Sequence, residues 1–381
     1  MVSYLHGTAD PARHDRLFPA DLFVFETNPL SVAYGACGVL YGLQSLAGDV
    51  PRALADWVLK RDVSTAAYPP GLYLGQAGIA WVLGRLGFRD RSAALLRAAR
   101  AHPLLWDSAG ILYGAAGYGL ACLRLWREDA GQEFLDDAVR AGDRLAASAV
   151  LDERGARWPN ADGSVYLGYA HGGSGIALFL LYLSLATGSA GARRLGREAL
   201  RFELGHGKWI DGRFAGFPAR VTGGEEPAPE AAALSCYWDT GSAGIGASLV
   251  RYAKVAPEPD DQLWLARLGT DAGRKYTAFP QLFRGLAGLG NFLLDLWLHT
   301  GDPAHLLGAW QAAEGILLFG IERPEGLAFP GDQVRRESAD FATGAAGIGL
   351  FLHRLLATGN GKPANFNFVL DEWLPLDSAH Q

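Results

Sequence analysis

A Gly-x-x-Gly motif followed by an apolar run recurs seven times and constrains the fold more than any other feature. It reads YGACG (34–38), LGQAG (74–78), YGAAG (113–117), HGGSG (171–175), TGSAG (240–244), RGLAG (284–288) and TGAAG (343–347). The first glycines stand 40, 39, 58, 69, 44 and 59 residues apart. Repetition at such periods calls for a closed ring or a solenoid. The runs read as buried helices. In GIALFLLYLSLATG (175–188), Ile176, Phe179, Leu180 and Leu183 fall at helical spacing, while Ala177, Leu178, Leu181 and Leu185 cover the other faces. A helix apolar all round is enclosed by other elements. GLGNFLLDLWLHTG (288–301) and GIGLFLHRLLATG (347–359) repeat the form, and all three end in Thr-Gly, where glycine suits a left-handed C-cap. Each run is about 13 residues, roughly 20 Å of helix.

RSAALLRAARAH (91–102) and GQEFLDDAVRAGDRLAASAV (131–150) alternate apolar and charged faces, so they belong outside, with one side wet. The expected architecture is all-α: a toroid, or α/α barrel, of seven helical hairpins whose buried inner helices are surrounded by outer amphipathic ones. Strand signals are few, with a short hairpin expected in RWPNADGSVYLG (157–168). Helices crowded about one axis need small residues where their ends converge, which accounts for the glycines. Stripping side chains there is expected to leave first-turn N–H groups bare, so that one end of the barrel favours negative charge. Glycine for packing alone is the other reading.

Composition bounds the function. Of 381 residues, 49% are hydrophobic and 19% charged, which fits a well-buried globular protein. The net charge is −6 with no basic block, so a nucleic-acid partner has no electrostatic support. Cys37, Cys122 and Cys236 lie far apart, as reduced thiols do in a cytoplasmic protein. No apolar run reaches membrane-spanning length, so no membrane partner is expected.

The seven repeats, with AHGGSGI (170–176) in the fourth, resemble the lanthionine synthetase C-like cyclases. FPGDQVRRESADFATGAAGIGLFL (329–352) and DRLFPADLF (15–23) are most similar to the C-terminal cyclase domain of class III lanthipeptide synthetases. The resemblance implies one cyclase domain over 1–381, with 1–30 as a lead-in that would follow a kinase domain in a fused synthetase. No kinase signature is present, so the chain is expected to be the excised or stand-alone cyclase part, with lyase and kinase domains as partners in cis or in trans. The implied reaction is Michael-type addition of a peptide cysteine thiol to dehydroalanine or dehydrobutyrine. It closes lanthionine or labionin rings in a ribosomal precursor peptide made of a leader and a dehydrated core.

The sequence departs from the family at its metal site. Zinc-dependent members carry Trp-Cys-x-Gly in the fifth repeat and Cys-His-Gly in the sixth, whereas this chain has Trp238, Asp239, Thr240, Gly241 and Phe283, Arg284, Gly285. Phenylalanine and arginine cannot ligate zinc, so no metal and no other cofactor is expected. A free thiol with a pKa of about 8.5 is only a few per cent thiolate at neutral pH, so another group must take its proton. His171, at a helix N-terminus, is the candidate base; a structural cap packed on Tyr169 is its other reading. Asp239 and Arg284 are expected to face each other as an ion pair, with Arg284 stabilising the thiolate or the enolate oxygen. Trp238 and Tyr169 are the candidate substrate-binding residues, and Trp158 and Trp209 could also line a peptide channel. Asp107, Asp332, Arg335 and Arg336 rank lower, and EEPAPEAAA (225–233) reads as an acidic loop near the pore. Two other functions stay open: a non-catalytic peptide-binding scaffold, and, more remotely, a carbohydrate enzyme on the same toroid.

Overall fold

The computed structural model describes residues 1–222, 233–360 and 370–374. All seven apolar runs form helices: Ala36–Ala47, Gln76–Arg85, Ala115–Arg127, Gly173–Thr187, Ser242–Val255, Leu286–Thr300 and Ala345–Gly359. Each packs on the next, and the seventh packs on the first, so the ring closes. Six outer helices, Arg52–Leu59, Arg89–Arg100, Gln132–Ser148, Ala190–Leu204, Asp261–Ala272 and Pro303–Leu317, each pack against the inner helix before them. The short helix Val2–Gly7 packs on the first inner helix and on the strand Gly326–Ala328, in the remaining outer position. The two helix classes bury what their patterns predict. From Gly173 to Ser184 every residue of the fourth inner helix is buried, whereas Gln132–Ser148 buries one stripe of Phe134, Asp137, Ala138, Ala141, Gly142 and Leu145. Among the described residues no helix is long and apolar enough to cross a membrane.

Neighbouring inner helices interlock through a second set of glycines. Phe179 packs where a side chain on Gly119 would stand, Phe292 does the same at Gly246, and Phe351 at Gly290. Each glycine lies five residues beyond the first motif glycine, and each ring lies seven beyond it in the next repeat.

The motif glycines answer to space, not to backbone conformation. The first glycine of every motif is an N-cap with extended backbone and negative φ. A Cβ on any second motif glycine would collide with the carbonyl oxygen six residues earlier, such as Trp238 O above Gly244. The chain folds back over its own helix start, and this overturns the expectation of bare N–H groups. The N–H of Ala36, Gln76, Ala115, Leu286 and Ala345 donates to the carbonyl seven residues earlier, at 2.8 to 3.1 Å.

The same folded-back segments are stitched into a belt. Ala33 donates to Tyr73 (2.8 Å), Leu74 to Leu112 (3.3 Å), Leu112 to Ala170 (3.1 Å) and Ala170 to Asp239 (2.9 Å). Asp239 then donates to Phe283 (3.2 Å), Phe283 to Ala342 (3.0 Å), and Ala342 back to Ala33 (2.9 Å). Leu74 apart, every member stands two residues before the first glycine of its motif.

Among the described residues strands are confined to the three long repeats, which explains the uneven spacing: Val150–Asp152, Gly155–Arg157 and Ser164–Tyr166; Lys208–Ile210, Arg213–Pro218, Arg220–Thr222 and Leu234–Ser235; Ile321–Arg323 and Gly326–Ala328. The hairpin expected at 157–168 does not form. Gly155–Arg157 pairs back with Val150–Asp152, and Ser164–Tyr166 pairs with Arg220–Thr222. Gly188 and Gly301 take the left-handed C-cap, but Gly359 stays helical and Asn360 caps instead. The acidic stretch 225–233 lies outside the described residues, Ala233 apart.

At the end away from the glycine motifs, the segment Leu370–Leu374 stoppers the barrel. Asp371 accepts two bonds from the buried Arg251, at 2.9 and 2.8 Å, and another from Tyr182. Arg251 also meets Asp295, which in turn holds Arg354 at 2.5 Å.

Two stability outcomes follow. Gly244→Ala would force a Cβ into backbone and is expected to cost on the order of 3 kcal/mol or more, whereas Gly191→Ala, in an open first turn, should add up to about 1 kcal/mol. Asp371→Ala leaves the buried Arg251 and Arg354 to share the single carboxylate of Asp295 and should cost about 3–5 kcal/mol. Urea unfolding of the three variants checks both.

Candidate functional site

The belt fixes where neighbouring side chains go. Immediately before the first glycines stand Tyr34, Leu74, Tyr113, His171, Thr240, Arg284 and Thr343. All but Thr240 line one pocket of about 350 Å³ at the motif end of the barrel. Asp239, one residue earlier in the fifth repeat, joins them. The three residues expected to carry chemistry, His171, Asp239 and Arg284, therefore share one opening, supplied by the fourth, fifth and sixth repeats.

Arg284 Nε donates to Asp239 Oδ2 at 2.6 Å. The pair is lopsided: the Arg284 side chain is 58% exposed and that of Asp239 only 6%. Thr240 Oγ1 donates to the other Asp239 oxygen at 3.1 Å. Burial pushes the Asp239 carboxyl up, opposed by the Arg284 charge and hydrogen bond. The same carboxylate holds the guanidinium protonated. Arg284 thus keeps its outer face open to the pocket while its inner face is tied down.

His171 lies between two phenol rings, 5.5 Å from Tyr113 and 5.2 Å from Tyr166 by ring centroids. Tyr169, expected as its packing partner, is instead buried against Trp238 at 4.2 Å. Burial, then repulsion from Arg284, brings the imidazole down to about 4. It is neutral at pH 7, as expected from its helix-start position, but through burial and a neighbouring cation, and it is a weaker base than that position suggests. Its ring has no hydrogen-bond partner among the described residues, so both nitrogens are available to a ligand.

Trp238 and Tyr169 do not line this pocket. With Tyr73 and Phe341 they form an aromatic floor beneath it, over a cavity of about 40 Å³. Trp158 is tied to Leu145 O, and Trp209 lies outside the ring beneath Arg267, so neither lines a channel. Asp107 is exposed on a surface turn. Burial lifts the Cys236 thiol to about 11, so it is no thiolate. At the positions aligned with zinc ligands the chain presents an ion pair and the packed ring of Phe283, a donor set that does not fit zinc. Among the described residues no group of three or more His, Cys, Asp or Glu could hold a metal ion.

The two stretches resembling class III cyclases meet at the pocket wall. Asp21 N donates to Asp340 at 3.1 Å, Ala339 N to Pro19 O at 2.8 Å, and Asp332 N to Asp21 Oδ2 at 2.6 Å. This clasp sets Phe23, Glu26, Thr27 and Asp332 along the pocket. Arg284 is therefore the one lysine or arginine among the described lining residues, which also include Glu26 and Asp332, and the opening is not the cationic pole expected from helix ends alone. Sequence reasoning also missed Tyr34, Tyr113 and Thr343, although they occupy the same column as His171 and Arg284.

The family described as lanthionine synthetase C-like protein matches residues 26–370. The probable SapB synthase of Streptomyces coelicolor (strain ATCC BAA-471 / A3(2) / M145) is 32% identical over 380 residues, covering 97% of this chain. The chain spans 38% of the length of that relative. Among solved structures, nisin cyclase superposes with a TM-score of 0.67 at 15% identity, over 91% of this chain and 93% of its own. Cellobiose 2-epimerase from Spirochaeta thermophila DSM 6192 reaches 0.51 at 14% identity, over 84% of this chain and 97% of its own, so the toroid itself is shared more widely. By sequence across nearly its whole length, the chain belongs to the lanthionine synthetase C-like family.

Proposed function

We propose that this chain is a zinc-independent lanthipeptide cyclase of the class III type, acting on a dehydrated ribosomal precursor peptide. The observation that carries the reading is the convergence of His171 and the Arg284–Asp239 pair on one pocket, the pair standing where zinc-dependent members carry metal ligands. The 32% identity to a probable SapB synthase and the clasp built from the two class III-like stretches support the type. Lyase and kinase domains would act on the same precursor in cis or in trans.

In this reading a substrate cysteine thiol enters beside His171, which accepts its proton at a ring nitrogen. A proton passing from a thiol near 8.5 to an imidazole near 4 is strongly uphill, so the pair must be stabilised as it forms. The exposed face of Arg284 supplies that stabilisation, first to sulfur and then to the enolate oxygen. Sulfur bonds to the β-carbon of dehydroalanine or dehydrobutyrine, and the alkene electron pair moves to the enolate. The imidazolium returns its proton to the α-carbon, so the net change is addition of S–H across the double bond. If the enolate attacks the β-carbon of a second dehydroalanine instead, a carbon–carbon link of the labionin kind forms, and the imidazolium gives its proton to the second enolate so produced. Asp239 holds the guanidinium in place throughout.

The scaffold reading is the competitor, favoured by the weak basicity of His171; it predicts ring closure no faster than in buffer. Mass spectrometry of a dehydrated precursor after thiol alkylation separates the two. Wild type should close rings faster than buffer, equally well with and without chelator, and His171→Ala should be slower by about 100-fold. Loss of activity with chelator would refute zinc independence, and equal rates for wild type, His171→Ala and buffer would refute catalysis.

A further inference from the structure

The fourth repeat departs from its neighbours directly beneath His171. In five repeats the first helical N–H donates to a backbone carbonyl seven residues earlier, and in the fifth repeat the N–H of Ala243 does so to Cys236. In the fourth, the N–H groups of Gly168, Ser174 and Gly173 face the carboxylate of Glu203, with Gly168 N at 2.8 Å from Oε1. Glu203 comes from the outer helix Ala190–Leu204 and is wholly buried. A Cβ on Gly172 would collide with Oε1, so the carboxylate fills the space under the turn Gly168–Gly172 that carries His171. Glu203 Oε2 and the Ser174 hydroxyl are both buried without a bond of normal geometry.

The surroundings of this acid are nearly free of charge. The strand Gly155–Arg157 brings Arg157, which lies over the Phe202 ring, and His206 packs on the same ring. The fourth inner helix carries no acidic or basic residue. On the fifth inner helix Arg251 is engaged by Asp371 and Asp295, and Lys254 lies near the same far end. On Gln132–Ser148, Asp137 is engaged by Arg100 and Arg140, and Arg144 lies over Trp106. On its own helix Arg197 pairs with Asp261, and Arg201 with Glu198. No ion pair reaches Glu203 among the described residues.

We propose that Glu203 is a positioning residue for His171, its ionised carboxylate clamping the Gly168–Ser174 turn in the conformation that ring closure requires. The proposal rests on the cyclase reading above. Burial lifts the Glu203 carboxyl to about 7, against the pull of the Ser174 hydroxyl and then of the three N–H groups. Above that pH the carboxylate accepts from them; below it, a proton meets donors with another donor and the clamp slackens. Glu203→Gln copies the slack state at every pH.

The test compares wild type with Glu203→Gln on a dehydrated peptide bearing one cysteine and one dehydroalanine. At pH 8, kcat should fall at least about tenfold with KM unchanged within about twofold. The ratio of wild-type to variant kcat should rise about five- to tenfold between pH 6 and pH 8, while the ionisation of the substrate thiol cancels. A flat ratio near unity would overturn the proposal. In parallel, NMR titration of the His171 ring should show a second inflection near pH 7 in wild type and none in Glu203→Gln; its persistence in the variant, or its absence from wild type, would equally overturn it. Should wild type fail to close rings at all, the cyclase reading falls, and the NMR result still decides whether Glu203 governs the turn.

Discussion

Seven backbone hydrogen bonds, running from repeat to repeat in a closed belt, are the constraint on which the rest of the structure depends. Inner helices buried on every face gain cohesion from apolar contact but little definition of height, because one leucine packs against another almost as well a turn higher. The belt supplies the missing definition. Each segment before a helix gives its N–H to the next repeat and lends its carbonyl to the previous one, so the seven helix starts lie level. Glycine is required because the segment returns over the helix it has just launched, leaving no room for a Cβ. With the level fixed, the column next to the glycines meets the opening, and side chains one or two residues before it, Tyr73 in the second repeat and Tyr169, Trp238 and Phe341 in the fourth, fifth and seventh, build the aromatic floor.

That geometry determines which parts of the molecule were legible in the sequence. The ring and its inner helices were, because burial on all faces leaves a continuous apolar run. The pairing of Asp239 with Arg284 was also legible, since the two occupy adjacent columns in successive repeats, and His171 stands in the Arg284 column of the fourth repeat. The depth of a column was not: Trp238 and Tyr169 precede Asp239 and Ala170 by one residue, and that single step turns them from the opening to the floor. The satisfied first-turn N–H groups were hidden for a similar reason, since a bond across seven residues of irregular chain leaves no periodic trace. Ser164–Tyr166 finds its partner in Arg220–Thr222, a pairing that local turn signals do not encode. Glu203 was hidden as well, as one acid on a patterned outer helix with nothing to mark it as facing inward.

Acids, not cations, support the rim. Glu203 braces the fourth repeat and Asp340 the seventh, each wholly buried and each lifted by burial, to about 7 and about 6. Both accept from backbone N–H groups at the rim, Glu203 from Gly168 and Asp340 from Asp21 and Thr343, beside the backbone belt and not in place of its bonds. Asp239 adds a third acid, tied to Arg284. Asp239 fixes the one guanidinium among the described lining residues in place, beside the carboxylates of Glu26 and Asp332, so positive charge sits at a single spot where a diffuse helix-end field would have spread it around the circumference.

The stopper formed by Leu370–Leu374 leaves the barrel one door among the described residues. Asp371 is held by Arg251 and Tyr182 at the far end, and Trp373 packs on Trp126 beside it. A polypeptide working at the rim would have no exit behind the aromatic floor, so it could not be drawn through like thread through a bead. Each loop would dip in, react and withdraw by the same route. The order in which successive loops are processed would then follow how readily each bends into the opening, and not their sequence along a translocating strand.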